Sequence, residues 1–318
     1  MKAAVVSALG HPPLVQEFPD PAAAEGAALI TVRASAISQL ARGRAAGSHY
    51  SSENLFPFVA GVDGVGRLAD GARVYFMLPK PPYGGFGERT LVVSEQCLPL
   101  PDGLDDLTAA AIANPGMSSS AAFRRARLTA GETVLINGAT GVSGRLAVQI
   151  AKRLGAKKVF ATGRDRAALE VVQTLGADVT LPLVADAAEQ ERAFRDAFSE
   201  GIDVVVDYLW GASAESLLTS AAKVAADRPL RFVQVGSTSG GEIKLPGAVL
   251  RSTPIELMGS GLGSVSFEGL KASIAAVFQM AASGGLTIQT RRYPFAEFAA
   301  AWAEKDSAAR IVVAMDAD

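Results

Sequence analysis

The spacing of apolar and polar positions changes period twice between residues 133 and 165. Residues 133–137 form a short, mostly apolar run of strand type, and Leu146, Ile150 and Leu154 then recur every fourth residue, the spacing of a helix with one buried stripe. Gly155 stands where a helix-ending glycine is expected and 158–162 is apolar again, so about thirty residues read as one βαβ unit. Apolar strand candidates recur at 178–181, 203–207, 230–235 and 255–258, with helical stretches between several of them. With the first two they make six, as expected of a doubly wound parallel sheet.

The first third is patterned differently. Short β-rich runs at 2–6, 27–36, 61–68, 73–77 and 87–93 are punctuated by Pro57, Pro79, Pro81 and Pro82, the signature of a bent-sheet β domain. Eleven of the 16 prolines lie at or before Pro115 and the next is Pro182, which puts a boundary near there. Two helix-like pieces, DDLTAAAIAN and SSSAAFRRA, flank Pro115-Gly116, which is expected to break them and carry the chain into the second domain. After Met258, GSGLGS is expected to return the chain, followed by a helix at 268–282, a strand at 288–293, a short helix at 295–302 and a last strand at 310–315. The expected organisation is therefore 1–115, 116–262, and 263–318 completing the first domain.

Composition narrows the functional classes. At 318 residues and 49% apolar, each of two domains can bury a core. A formal charge of -2 from 30 basic and 32 acidic residues, without charge runs, gives no attraction to nucleic acid or anionic membrane. No apolar run approaches the roughly 18 residues of a membrane span. The single cysteine suits a reducing cytoplasm, and MKAAVVSALGHPP reads as a first strand and turn, not a signal peptide.

The turn after the 133–137 strand, Gly138, Ala139, Thr140, Gly141, Val142, Ser143 and Gly144, carries the candidate chemistry. A helix opening directly after a strand presents unpaired N–H groups and the positive end of its dipole, which suits a diphosphate, provided the turn residues are small. Ala139-x-Gly141-x-x-Gly144 is the dinucleotide fingerprint with alanine in the first glycine's place. At the end of the next strand stand Gly163 and Arg164, whose planar guanidinium favours the 2′-phosphate of NADPH. Asp165 then reads as a helix N-cap. The alternative is a solvated Arg164, with Asp165 on the ribose of NAD.

PFVAGVDGVGRL (57–68), YGGFGERTLV (83–92), AAAIANPGMSSSAAF (109–123), GETVLINGATGVSGRLAVQIAKRLGA (131–156) and IDVVVDYLWG (202–211) together resemble the zinc-free quinone oxidoreductase branch of the medium-chain dehydrogenase/reductase family, over nearly the whole chain. The resemblance implies a GroES-like β-rich catalytic domain with a Rossmann domain, NADPH, and a homodimer paired through edge strands of the nucleotide domains. It also implies that Asn114, Gly116, Met117 and Ser118 lie beside the nicotinamide. Gly236, Ser237 and Thr238 are expected on the nicotinamide half of the cofactor, Tyr208 near its adenosine or phosphates, and Gly261 and Ser264 closing over it. His49 and Tyr50, in GSHYSSENLF, are candidate donors to a substrate carbonyl. The tyrosine common upstream in bacterial quinone reductases is not matched, since Gly43 and Arg44 stand there.

Zinc-dependent relatives need a cysteine, a histidine and a further thiol or acid. Here Ser38 stands near the first position, Val62-Asp63 occupies the histidine-glutamate pair, and only Cys97, His11 and His49 remain as soft or imidazole ligands. The expected activity is metal-free hydride transfer from NADPH to a quinone or activated enone. The alternatives are an enoyl-thioester or alkenal double-bond reductase, and an NADPH-binding protein without turnover.

Overall fold

In the computed structural model, which describes residues 1–49, 52, 55–224, 228–305 and 308–315, the first part of the chain runs β1 (Lys2–Val6), β2 (Leu14–Glu17), β3 (Ala27–Ala36), α1 (Gln39–Ala46), β4 (Phe58–Val59), β5 (Asp63–Arg67), β6 (Arg73–Met77), β7 (Arg89–Val93), β8 (Cys97–Pro99) and α2 (Asp106–Arg125). The second part alternates β9 (Thr133–Asn137), α3 (Val142–Arg153), β10 (Lys158–Gly163), α4 (Arg166–Thr174), β11 (Val179–Pro182), α5 (Ala187–Ser199), β12 (Val204–Asp207), α6 (Gly211–Ala221), β13 (Leu230–Gln234), α7 (Gly247–Ser252), β14 (Ile255–Gly259) and α8 (Phe267–Ala282). The chain closes with β15 (Thr290–Pro294), α9 (Phe298–Ala303) and β16 (Arg310–Ala314). Two compact units result: Met1–Asn114 with Val277–Asp318, and Pro115–Ala276. The 259–264 stretch thus lies within the second unit.

In the first unit, β2-β1-β4 form a small antiparallel sheet, and β15-β16-β3-β5-β6-β8 a larger one with β7 also on β3. The closing strand β16 pairs antiparallel with β3, Val312 opposite Ala36, so the C-terminal segment completes the early sheet. Phe76, Phe86, Phe298 and Val313 are solvent-inaccessible in its core. Phe86 and Phe298 meet edge to face with centroids 5.1 Å apart, a geometry that adds about 1 kcal/mol to area burial.

The second unit is a six-stranded all-parallel sheet in the order β11-β10-β9-β12-β13-β14. Every residue of β9 and β12 is buried, which is why these strands read as continuous apolar runs. The strand order reverses between β9 and β12, and in such sheets ligands bind outside the carboxyl ends at that reversal. Local chemistry sets the helix limits. Asp165 Oδ1 accepts the Ala168 N–H at 3.2 Å to start α4. Gly155 (φ 85°) ends α3, its N–H on the Lys152 carbonyl and that of Ala156 on Ala151, a Schellman closure.

The expected break at Pro115-Gly116 does not occur, for α2 is one 20-residue helix with Pro115 inside it. A proline there costs about 3 kcal/mol. Both halves are buried, with Ala109–Ala113 and Ala121–Phe123 each at most 3% exposed. Burying Ile112 and Phe123 alone returns about 1.5–3 kcal/mol each, which outweighs the local penalty. Sequence periodicity also missed β2, β4 and α1. These are short, and β2 is exposed along its length.

Candidate functional site

The β9–α3 turn is built from residues whose side chains would collide. Gly138 adopts φ 87°, a left-handed conformation that favours glycine. A Cβ on Gly144 would overlap the Gly138 carbonyl oxygen and lie 2.6 Å from Ala139 Cα, so α3 can pack against the turn only without one. On Gly163 a Cβ would strike Thr140 Cγ2, and on Gly236 it would lie 2.7 Å from the Tyr208 carbonyl oxygen. Gly141, the N-cap of α3, differs: a Cβ there meets nothing within 4 Å. No side chain caps α3, whereas Ser38, Asp165 and Asp186 cap α1, α4 and α5. The first turn of α3 therefore offers uncapped amides at a half-exposed position.

A buried polar network holds this turn in place. Gly138 N–H donates to Thr162 Oγ1 (3.0 Å), whose hydroxyl donates to Asn137 Oδ1 (2.7 Å). Asn137 Nδ2 donates to Asp207 Oδ1 at 2.8 Å, joining the last residues of β9 and β12 where the strand order reverses. Burial pushes the Asp207 carboxyl above the usual range, opposed by donors from Leu209, Asn137 and Trp210. None of these roles was expected from sequence. The available signal was a polar residue ending an apolar strand, at Asn137 and again at Asp207.

The sequence candidates of the second unit gather at the carboxyl ends of β9, β10, β12, β13 and β14. Ala139 is buried, while Thr140, Gly141 and Val142 are half-exposed. Arg164 is exposed beyond the end of β10. Tyr208 is 8% exposed, its hydroxyl 2.7 Å from Ser119 Oγ, and burial raises the pKa of the phenol. Ser119 in turn lies 3.0 Å from the Pro115 carbonyl and 3.2 Å from that of Ser143. Ser237 and Thr238 are exposed after β13, the Thr238 hydroxyl donating to the Tyr208 carbonyl at 3.0 Å. Ser264 Oγ accepts the Gly261 N–H at 2.9 Å and closes its own turn. Asn114 and Met117, one turn apart on α2, are half-buried, as is Ser118, whose hydroxyl donates to the Pro115 carbonyl; Gly116 is buried.

In the first unit, His49 is half-buried after α1 and packs where Gly43 lacks a side chain, a Cβ there lying 3.2 Å from His49 Cβ. Burial first, and then the charge of Arg44, hold its imidazole below the usual pKa, so at neutral pH it is an uncharged hydrogen-bond donor. Tyr50 lies outside the described residues. The Ser38 hydroxyl accepts the Ala41 N–H at 2.9 Å, Val62 is 5% exposed, and burial raises the Cys97 thiol to about 11. Among the described residues no three His, Cys, Asp or Glu side chains cluster as metal ligands.

A family model described as zinc-binding dehydrogenase matches residues 143–283. The chain is 30% identical to an Emericella nidulans protein named as a probable NADPH-dependent quinone reductase, covering 98% of this chain and 99% of that protein. The structure of the quinone oxidoreductase from Thermus thermophilus, solved also in complex with NADPH, matches with a TM-score of 0.82 at 27% identity, over 99% of this chain and 100% of that one. Phthioceranic/hydroxyphthioceranic acid synthase of Mycobacterium tuberculosis is 32% identical over 227 residues, which span 69% of this chain and 10% of that protein. A relationship running across nearly the whole of both the fungal protein and this one places the chain in the quinone oxidoreductase branch of the medium-chain dehydrogenase/reductase family.

Proposed function

We propose that this protein is an NADPH-dependent oxidoreductase that passes a hydride, without a metal ion, to a quinone or another activated enone. The observation that carries the reading is the start of α3: an uncapped turn, emptied of side chains by Gly138, Gly141 and Gly144, at the reversal of a parallel sheet. The amides of 141–144 hold the diphosphate there, with Ala139, Thr140 and Val142 shaping the turn. Gly163 and Arg164 receive the 2′-phosphate, Arg164 as a bidentate donor. Tyr208, Gly236, Ser237, Thr238, Gly261 and Ser264 line the cofactor beyond, and Asn114, Gly116, Met117 and Ser118 face the nicotinamide. When bound, NADPH supplies the hydride. The chain supplies orientation and hydrogen bonds to the oxygen that gains charge, with His49 among the donors.

The residues at the zinc-ligand positions do not fit that metal. The Ser38 hydroxyl is engaged by a helix amide, Val62 has no donor atom, and Asp63 is buried and accepts the Tyr75 hydroxyl; Cys97, at none of those positions, is held as a neutral thiol. The working form is read as a cytoplasmic homodimer. Oxidation of NADPH with a panel of quinones, alkenals and enoyl thioesters tests the reading, and quinone or enone turnover is expected. NADPH binding with no turnover across the panel would reject it in favour of a binding protein. The partial likeness to an acid synthase supports a second reading, an enoyl-thioester or alkenal reductase, and a higher kcat/KM on those substrates than on quinones would establish it.

A further inference from the structure

Ser119, fully buried in α2, stands where three segments of the second unit meet. Its hydroxyl oxygen is 2.7 Å from the Tyr208 hydroxyl after β12, 3.0 Å from the Pro115 carbonyl one turn back, and 3.2 Å from the Ser143 carbonyl in the first turn of α3. A serine hydroxyl has one proton to give, and a carbonyl can only accept. The Ser119 proton therefore goes to a carbonyl, and the Tyr208 hydroxyl donates to Ser119 Oγ. Lone pairs decide which carbonyl it is. Inside a helix each carbonyl already accepts the amide four residues on, which leaves it one further lone pair. At Pro115 that lone pair takes the Ser118 hydroxyl at 2.8 Å, whereas that of Ser143 is left to Ser119.

Tyr208 is itself fixed on the sheet, its N–H donating to the Asn137 carbonyl at 3.0 Å and its carbonyl accepting the Thr238 hydroxyl at 3.0 Å. Donation from its phenol polarises the Ser119 O–H and strengthens the bond beyond it. The run from Tyr208 through Ser119 to Ser143 thus ties the first turn of α3 to the ends of β9 and β12 and to the loop after β13. We propose that Ser119 and Tyr208 are positioning residues whose hydroxyls act on Ser143, holding the first turn of α3 where its amides meet the cofactor's diphosphate. This rests on the binding of NADPH at that turn, as proposed above.

The test is a double-mutant cycle on NADPH affinity, read from the fluorescence of the bound cofactor with no acceptor present, with thermal unfolding of each variant alongside. Ser119→Ala removes the link to Ser143 and should weaken NADPH about tenfold, the worth of one hydrogen bond. Tyr208→Phe leaves that link in place but less polarised, and should weaken NADPH about threefold. Because Tyr208 acts through Ser119, the double variant should bind no more weakly than Ser119→Ala alone. In the protein without cofactor, Ser119→Ala should also shift the amide signal of Gly144, which shares a peptide group with the Ser143 carbonyl. A purely structural role would lower the unfolding temperature of Ser119→Ala and leave its NADPH dissociation constant at the wild-type value, which would overturn the proposal. So would an unmoved Gly144 signal, or a loss in the double variant equal to the product of the two single losses. Wild-type protein that does not bind NADPH would overturn the underlying reading as well, whereas wild-type binding with unchanged variants would overturn this proposal alone.

Discussion

Two glycines three residues apart in the β9–α3 turn should fail in opposite ways. A methyl at Gly144 would overlap the Gly138 carbonyl and sit 2.6 and 2.8 Å from Ala139 Cα and C, all main-chain atoms that cannot rotate away. Relief requires α3 to move off the sheet, so Gly144→Ala should cost about 3 kcal/mol, the upper end for overpacking. In a unit of this size that lowers its Tm by roughly 6–12 °C. Gly141 has φ -78° and ψ 169°, which alanine adopts readily, and its methyl would enter open space. Loss of a tolerated N-cap glycine and the stiffer unfolded chain nearly cancel, so Gly141→Ala should change stability by less than about 1 kcal/mol. That open space is where the diphosphate is proposed to rest. Displacing it from one or two amides should weaken NADPH roughly 10- to 150-fold. Thermal unfolding and calorimetric titration with NADPH measure both quantities in each variant. Wild-type affinity in Gly141→Ala, or wild-type stability in Gly144→Ala, would refute the reasoning.

Arg164→Ala should cut the preference for NADPH over NADH at least about tenfold by removing a charge-assisted contact, and an unchanged ratio of the two dissociation constants would defeat the 2′-phosphate assignment. Thr162→Val leaves the Gly138 N–H and Asn137 Oδ1 without their partner and should cost about 2–3 kcal/mol in urea unfolding while loosening NADPH; a neutral result would mean the network does not hold the turn. Asp63, 2% exposed and bonded to the Tyr75 hydroxyl, is raised to about 6, chiefly by burial and against the opposing charge of Arg310. Because the folded state then binds the proton more tightly than the unfolded one, its contribution to stability is full below about pH 4 and is lost as pH rises through about 6. Urea midpoints at pH 4.5 and 7.5 should show this fall in the wild-type protein but not in Asp63→Asn, and equal pH dependence in both would rule out Asp63 as its source.

What could be read from sequence was what lies close together along the chain. The β9–α3–β10 unit follows from a contiguous run, and its strand limits fall on Thr133 and Asn137 as the periodicity requires. Pro115 shows where such reading fails, since a strong local breaker is overruled by burial on both sides that depends on the folded surroundings. Asn137, Thr162 and Asp207 are separated by 25 and 70 residues from their partners, so their network has no local signature.

The central claim is that the main-chain amides opening α3 carry the cofactor's diphosphate. An amide-resolved NMR titration with NADPH measures this directly. The account predicts that the N–H signals of Gly141 to Gly144 shift most, saturating together with the side chain of Arg164. Saturation elsewhere in the protein while those four signals stay in place would contradict it.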